Sequence, residues 1–221
     1  PNIIPTLGIR MHQNVLDSGI NLDSIAITST PYIPPWLLKP AGFELSMLLL
    51  GNKSEVPPTF FQSKFKELLS QYDGYTHIFT DGSKIGAAVG AAAIVASQVC
   101  QIRLPDNSSI FSAEAHGILL ALDMVHKSSD GQLLFLSDSL SCLQSLKNLD
   151  LSHPLIAVIL CRVHGLLLRG TNVVFMRVPS HAGLAGNSEA DIAAKAAVLL
   201  PVSNLTVPHS DYSSFIRIIY V

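Results

Sequence analysis

The chain has 221 residues, 48% of them hydrophobic, and a formal net charge of -2. That length supports one ordinary domain core plus an extension, and the balanced charge excludes a chain that grips a phosphate backbone by bulk positive charge alone. Three widely spaced cysteines, Cys100, Cys142 and Cys161, make neither a metal-binding pattern nor an even disulfide set, the usage expected of reduced thiols in an intracellular protein.

The chain begins at Pro1 rather than Met, which reads as a piece of something longer. A short helix is expected over "TLGIRMHQNVLDSG", ending at Gly19. The proline-rich "TSTPYIPPWLLKPAG" carries no long periodic element, and its Trp36 is expected to pack on a neighbour. "PPTFFQSKFKELLSQY" reads as a helix. In it Phe61, Phe65, Leu68 and Leu69 recur at helical spacing behind two prolines suited to a first turn. Residues 1–73 are read together as a linker or docking arm.

From Gly74 the texture changes. "YTHIFTDG" looks like a strand, and "GAAVGAAAIVAS" and "VCQIRLPD" follow with short breaks, as in an antiparallel meander. "SAEAHGILLALDMVHK" has helical periodicity. "GQLLFLSD" is a continuous apolar run, which suits a strand covered on both faces. "SLSCLQSLKNL" and "PLIAVILCRVHGLLLR" are helices, the second too short and too interrupted by Arg162 and His164 to span a membrane. "TNVVFMRVP" is a further strand, and "GNSEADIAAKAAVLL" a last, alanine-rich helix, with residues 201–221 as a tail. Three strands followed by alternating helices and strands imply an α/β mixed sheet flanked by helices.

Four acids fall in awkward places. Asp81 ends the first strand of this region, where Asp-Gly is otherwise a hairpin signal. Glu114, at the start of a helix, shares a face with Ile118, Ala121 and Val125, at offsets of four, seven and eleven. That face packs on the sheet, and an unpaired buried carboxylate is costly unless a cation lies beside it. Asp138 follows "LLFLS" and also suits a helix N-cap. Asp191 in "NSEAD" also suits a capping box with Ser188. A right-handed crossover would make the strands ending at Asp81 and Asp138 parallel. As neighbours, the two acids would sit at carboxyl ends roughly 4.8 Å apart, the edge where open α/β sheets collect ligands. Converging carboxylates call for hard cations such as Mg²⁺ or Mn²⁺. Two such ions are the apparatus of in-line phosphodiester displacement.

"FTDGSK", "SAEAHGILLAL", "FLSDS" and "VPSHAGLAGNSEADIAAKAA" resemble, in order, the motifs of the type 1 ribonuclease H family. The resemblance covers about Gly74 to Leu200. It is closest to the ribonuclease H domain of non-LTR retrotransposon polyproteins, a context that "IPPWLLKP" and "VPHSDYSSFIR" fit. It implies a ribonuclease H-like fold, a five-stranded mixed sheet in order 3-2-1-4-5 with helices on both faces. It implies hydrolysis of the RNA strand of an RNA–DNA hybrid with two Mg²⁺, or Mn²⁺ in their place, and a reverse transcriptase domain upstream in the same polyprotein. Carried over by motif, Asp81 would bridge both metals, and Glu114 and Asp138 would complete the site that activates water. Asp191 would help hold the second metal, with Glu189 a candidate to tune it. His181 would assist proton transfer or product departure from a loop containing Gly183 and Gly186. His116 reads as a helix-surface residue.

The frame is not followed throughout. Arg177 stands where the family often has an aromatic residue, Ser188 where an acid is frequent, and no lysine-rich helix lies between Asp138 and Val173. These departures bear on substrate affinity, for which Lys84, Arg162, Arg169 and Lys195 are the available cations. Two other readings use the same residues: a non-catalytic module of this fold, or another two-metal nuclease or strand-transfer enzyme.

Overall fold

The computed structural model describes residues 17, 25–26, 33–50, 57–125, 131–179 and 184–212. Apart from Asp17, the helix expected over residues 6–19 lies outside them. In chain order the elements are β1 (Ile25–Ala26), β2 (Gly42–Glu44), α1 (Pro58–Leu69), β3 (Thr76–Ile85), β4 (Ala88–Val95), β5 (Gln98–Leu104), α2 (Ile110–Val125), β6 (Gln132–Ser137), α3 (Leu140–Lys147), α4 (Pro154–Leu168), β7 (Asn172–Arg177), α5 (Ala185–Ala197) and β8 (Val207–Pro208).

The main sheet runs β2-β7-β6-β3-β4-β5. β2, β7, β6 and β3 are mutually parallel, and β4 and β5 complete an antiparallel meander. β3 to β7 keep the expected order 3-2-1-4-5, but the sheet has six strands rather than five. The extra one comes from the proline-rich stretch, where Gly42–Glu44 pairs with Val174–Met176. At three residues it is too short to display a period. It is held instead by close approach, since a Cβ on Gly42 would lie 3.0 Å from Val174 Cγ2, and by Phe43 stacking on Phe175 at 5.5 Å.

Alternation along β6 and β7 builds two cores, one on each face. Leu133, Phe135, Val173 and Phe175 pack with α2, α3 and α4. Leu134, Leu136, Val174 and Met176 pack with Phe61 and Phe65 of α1. The unbroken apolar run "LLFL" thus needs cover on both sides, and α1 supplies one of them. The helix expected over 57–72 begins on its prolines as anticipated. Trp36, expected to pack, is 79% exposed, turned outward by the three-residue turn Pro35–Leu37.

Over β3 and β4 the packing relies on small residues. Ala92, Ala193 and Ala194 form one contact group. A Cβ on Gly90 would meet the Ala194 carbonyl oxygen at 2.6 Å and Ala197 Cβ at 2.9 Å. Nothing at that contact is a flexible side-chain end, so α5 would have to move. Gly90→Ala is expected to destabilise the fold by about 1–3 kcal/mol, the usual range for overpacking. A urea melt followed by circular dichroism measures this, and an unchanged midpoint would contradict the close seat.

Candidate active site

β3 does not turn at Asp81-Gly82. It continues to Ile85, pairing residue by residue with β4, and the turn comes at Gly86, whose φ is +62°. Gly82 serves a different purpose. A Cβ there would lie 2.6 Å from the amide nitrogen of Glu114 and 2.8 Å from Ala113 Cβ. The start of α2 is therefore seated on the backbone of β3, one residue from Asp81.

The alternation of β3 puts Asp81 on the face opposite Gly82. The parallel ladder to β6 ends at Thr80 and Ser137, so Asp138, just past the end of β6, comes level with Asp81 in the middle of β3, and the expectation that Asp81 ends its strand is corrected. Asp138 is not the helix cap it resembles, because that position belongs to Ser139. Glu114 lies in the second turn of α2, which starts at Ile110, and is buried together with Ile118, Ala121 and Val125. One carboxylate oxygen from each of Asp81, Glu114 and Asp138 lies within 4.8 Å of the other two.

This proximity is electrostatically costly. Burial, followed by the charges of Asp138 and Asp191, pushes the Asp81 carboxyl up to about 8, against the pull of Lys195 and a backbone hydrogen bond at Gly82. Burial, then Asp81 and Asp138, drives Glu114 well above the usual carboxyl range. Glu114 Oε2 is buried with no hydrogen-bond partner among the described residues. An all-oxygen donor set with one orphaned oxygen fits a hard divalent cation, whose charge would relieve both penalties.

Asp191 stands apart from this trio. α5 begins at Ala185, earlier than the capping-box pattern suggests, so Asp191 is well inside the helix. Its Oδ2 accepts a 2.7 Å hydrogen bond from Lys195 Nζ, one turn on. Its charge still reaches Asp81. Glu189 is exposed. His181 lies outside the described residues, as does Gly183. Gly186 is described, and a Cβ on it would strike the Phe79 ring at 2.4 Å. His116 is half-buried rather than on the surface, with Nδ1 2.7 Å from the Ser112 carbonyl oxygen.

Three of the four cations available for phosphates are already engaged. Lys84 Nζ donates to the Ser108 carbonyl at 2.9 Å, Arg162 pairs with Asp123, and Lys195 holds Asp191. Sequence reasoning could not foresee these contacts, because only the Lys195 pair is local. Among the described residues, no helix is long and apolar enough to cross a membrane.

A raised carboxyl pKa is also a stability statement. In the unfolded chain Asp81 ionises near 3.8, while in the folded chain it stays neutral until about 8. Between those values proton loss favours the unfolded state, and above them the penalty is complete. Asp81→Asn, which cannot ionise, is expected to raise the melting temperature in metal-free buffer. The gain should be small at pH 5 and largest at pH 9. Melting curves in chelator at both values test this, and a pH-independent difference would contradict it.

The RNase H family model matches residues 73–199. Solved structures with a similar fold include RNase H1 of the halophilic archaeon Halobacterium salinarum NRC-1, at 20% identity over 56% of this chain and 97% of that one, with a TM-score of 0.44. The N-terminal RNase H domain of a Mycobacterium tuberculosis protein, solved as a fusion with maltose-binding protein, is 21% identical over 56% and 94%, with a TM-score of 0.43. LC11-RNase H1 in complex with an RNA/DNA hybrid is 17% identical over 55% and 95%, with a TM-score of 0.45. No curated protein matches the chain.

Proposed function

The chain belongs to the RNase H family, and we propose that it hydrolyses the RNA strand of RNA–DNA hybrids in the reverse transcription of a retroelement. The observation that carries this reading is the convergence of buried Asp81 and Glu114 with half-buried Asp138, beside the carboxyl end of β6, with one oxygen of Glu114 orphaned. The retroelement context rests on the likeness of "IPPWLLKP" and "VPHSDYSSFIR" to such polyproteins.

In this reading Asp81, Glu114 and Asp138 would hold one Mg²⁺, and Asp191, whose charge reaches Asp81, would help hold a second. Bound divalent ions supply the positive charge that activates water and stabilises the departing oxygen. The chain's own part begins with placement. α2 and β3 hold Glu114 and Asp81 where water is largely excluded, so interactions with a scissile phosphate are stronger there than in solvent. A water oxygen loses a proton to solvent and bonds to phosphorus as the bond to the departing ribose oxygen breaks; one proton is released and one consumed, the latter taken up by the ribose oxygen. His181 is assigned the delivery of that proton. Discrimination for RNA is assigned to contacts with the 2′-hydroxyl near the site, since the cations nearby are few and mostly engaged.

Incubation with Mg²⁺ and labelled hybrid, duplex DNA or duplex RNA tests the reading. Only the RNA strand of the hybrid should be cut, and Asp81→Asn should lose more than about 10²-fold of that activity. Cleavage of duplex DNA at a similar rate would favour another nuclease of this fold.

His181→Ala should slow turnover toward the low end of the roughly 10²–10⁴-fold typical of general acid–base assistance. Calorimetric Mn²⁺ binding should persist in this variant. Its loss would recast His181 as a ligand.

A further inference from the structure

Far from the site in sequence, Asp211 is a buried carboxylate at the start of α2. Its Oδ2 accepts from the Ser109 amide at 2.9 Å and its Oδ1 from the Ser109 hydroxyl at 2.8 Å. That hydroxyl in turn accepts from the Ser112 amide at 3.0 Å. Ser109 is thus the cap of α2, satisfying an amide of its first turn, and Asp211 caps the cap. Donation to a carboxylate strengthens the hydroxyl as an acceptor, and the negative charge suits a helix N-terminus.

The segment that carries Asp211 is itself anchored. After α5, Ser203 donates to the Arg103 carbonyl at 3.0 Å. Further on, β8 pairs with β1, and Val207 and Tyr212 are buried with Ile25 beside them. The tail therefore leaves the helix that carries Asp191 and returns to the helix that carries Glu114. Burying a carboxylate among neutral partners is expensive, and a hydroxyl or amide cap would have served helix stability alone. What the carboxylate adds is a bidentate, directional hold on one residue, Ser109, five positions before Glu114.

We propose that Asp211 is a positioning residue for the site: through Ser109 it fixes the start of α2, and so holds the Glu114 carboxylate beside Asp81 and Asp138. The seat on Gly82 sets how closely α2 approaches β3, and Lys84 ties the preceding turn at Ser108. Asp211 supplies the hold from the tail. The kinetic half of this inference rests on the ribonuclease reading; the structural half does not.

The test uses the full chain and its Asp211→Ala, Asp211→Asn, Ser109→Ala and double Asp211→Ala/Ser109→Ala variants. In metal-free buffer, amide exchange at Ala113, Glu114 and Ala115 should accelerate in Asp211→Ala, while Ile156 and Ile159 of α4 keep the parental rate. On hybrid, kcat should fall between about 10- and 100-fold, the scale of a remotely caused misplacement. KM should hold, and the Mg²⁺ concentration for half-maximal rate should rise. Asp211→Asn, which keeps one acceptor, should recover part of the loss. The double variant should lose less than the sum of the two single losses, because the two residues act as one link. Parental exchange at the start of α2, parental kcat and Mg²⁺ dependence in a folded Asp211→Ala chain, or additive losses would each overturn the proposal. If Asp211→Ala does not fold, Asp211→Asn and Ser109→Ala carry the same comparison. Should the parental chain leave hybrid intact, the ribonuclease reading falls, and the exchange rates alone decide the role of Asp211.

Discussion

The first turns of α2 rest on β3 with no side chain between them, because Gly82 has none to offer. The closeness of the site's acids and the cost of their charge follow from that contact. A helix standing one side chain farther from the sheet would carry Glu114 away from Asp81 and into solvent. At the observed separation one oxygen of each of the two acids lies within 4.8 Å of an Asp138 oxygen, and Glu114 Oε2 is left without a partner. Desolvation is the leading cause of the shift at both Asp81 and Glu114, ahead of mutual repulsion. The close seat is thus the source of the cation demand, since exposed acids at the same spacing would be screened.

The cost of this arrangement is borne by the rest of the fold. Small residues at Gly90, Ala92, Ala193, Ala194 and Ala197 let α5 lie against β4. Two separate apolar cores bury β6 and β7 from both faces. Strain and repulsion persist at a site only where the surroundings over-determine it, and β6, which leads into Asp138, is buried from Leu133 to Ser137. Charge and stability pull in opposite directions at Asp81, and the core offsets the cost.

Much of this was legible in the residues. The offsets that placed Glu114 with Ile118, Ala121 and Val125 identified a buried acid before any coordinates. The unbroken run "LLFL" announced a strand covered on both faces. What failed did so for local reasons. Asp-Gly is a turn signal in isolation, but here the glycine is demanded by a helix more than thirty residues away, which no local rule registers. The capping-box spacing around Asp191 is genuine, yet α5 starts before it and Asp191 pairs with Lys195 inside the helix. β2 has three residues and sits among prolines, so neither period nor propensity marks it. Asp211 reaches Ser109 across 102 positions, and a lone acid in the tail gives no sign of such a partner.

These misses share a cause, and it bears on what counts as the domain. The matched region, 73–199, contains every acid assigned to the site but not everything that shapes it. α1 and β2 lie before it and cover one face and one edge of the sheet. Asp211 lies after it and holds the helix of Glu114. β1 and β8, one from each flank, pair with each other. Motifs record the groups that touch the reacting atoms, because chemistry fixes their type and spacing. Packing fixes the flanks only through shape and a few polar contacts, which many sequences can satisfy. The motif block therefore understates the packed unit, because residues that carry no chemistry of their own contact it from both sides.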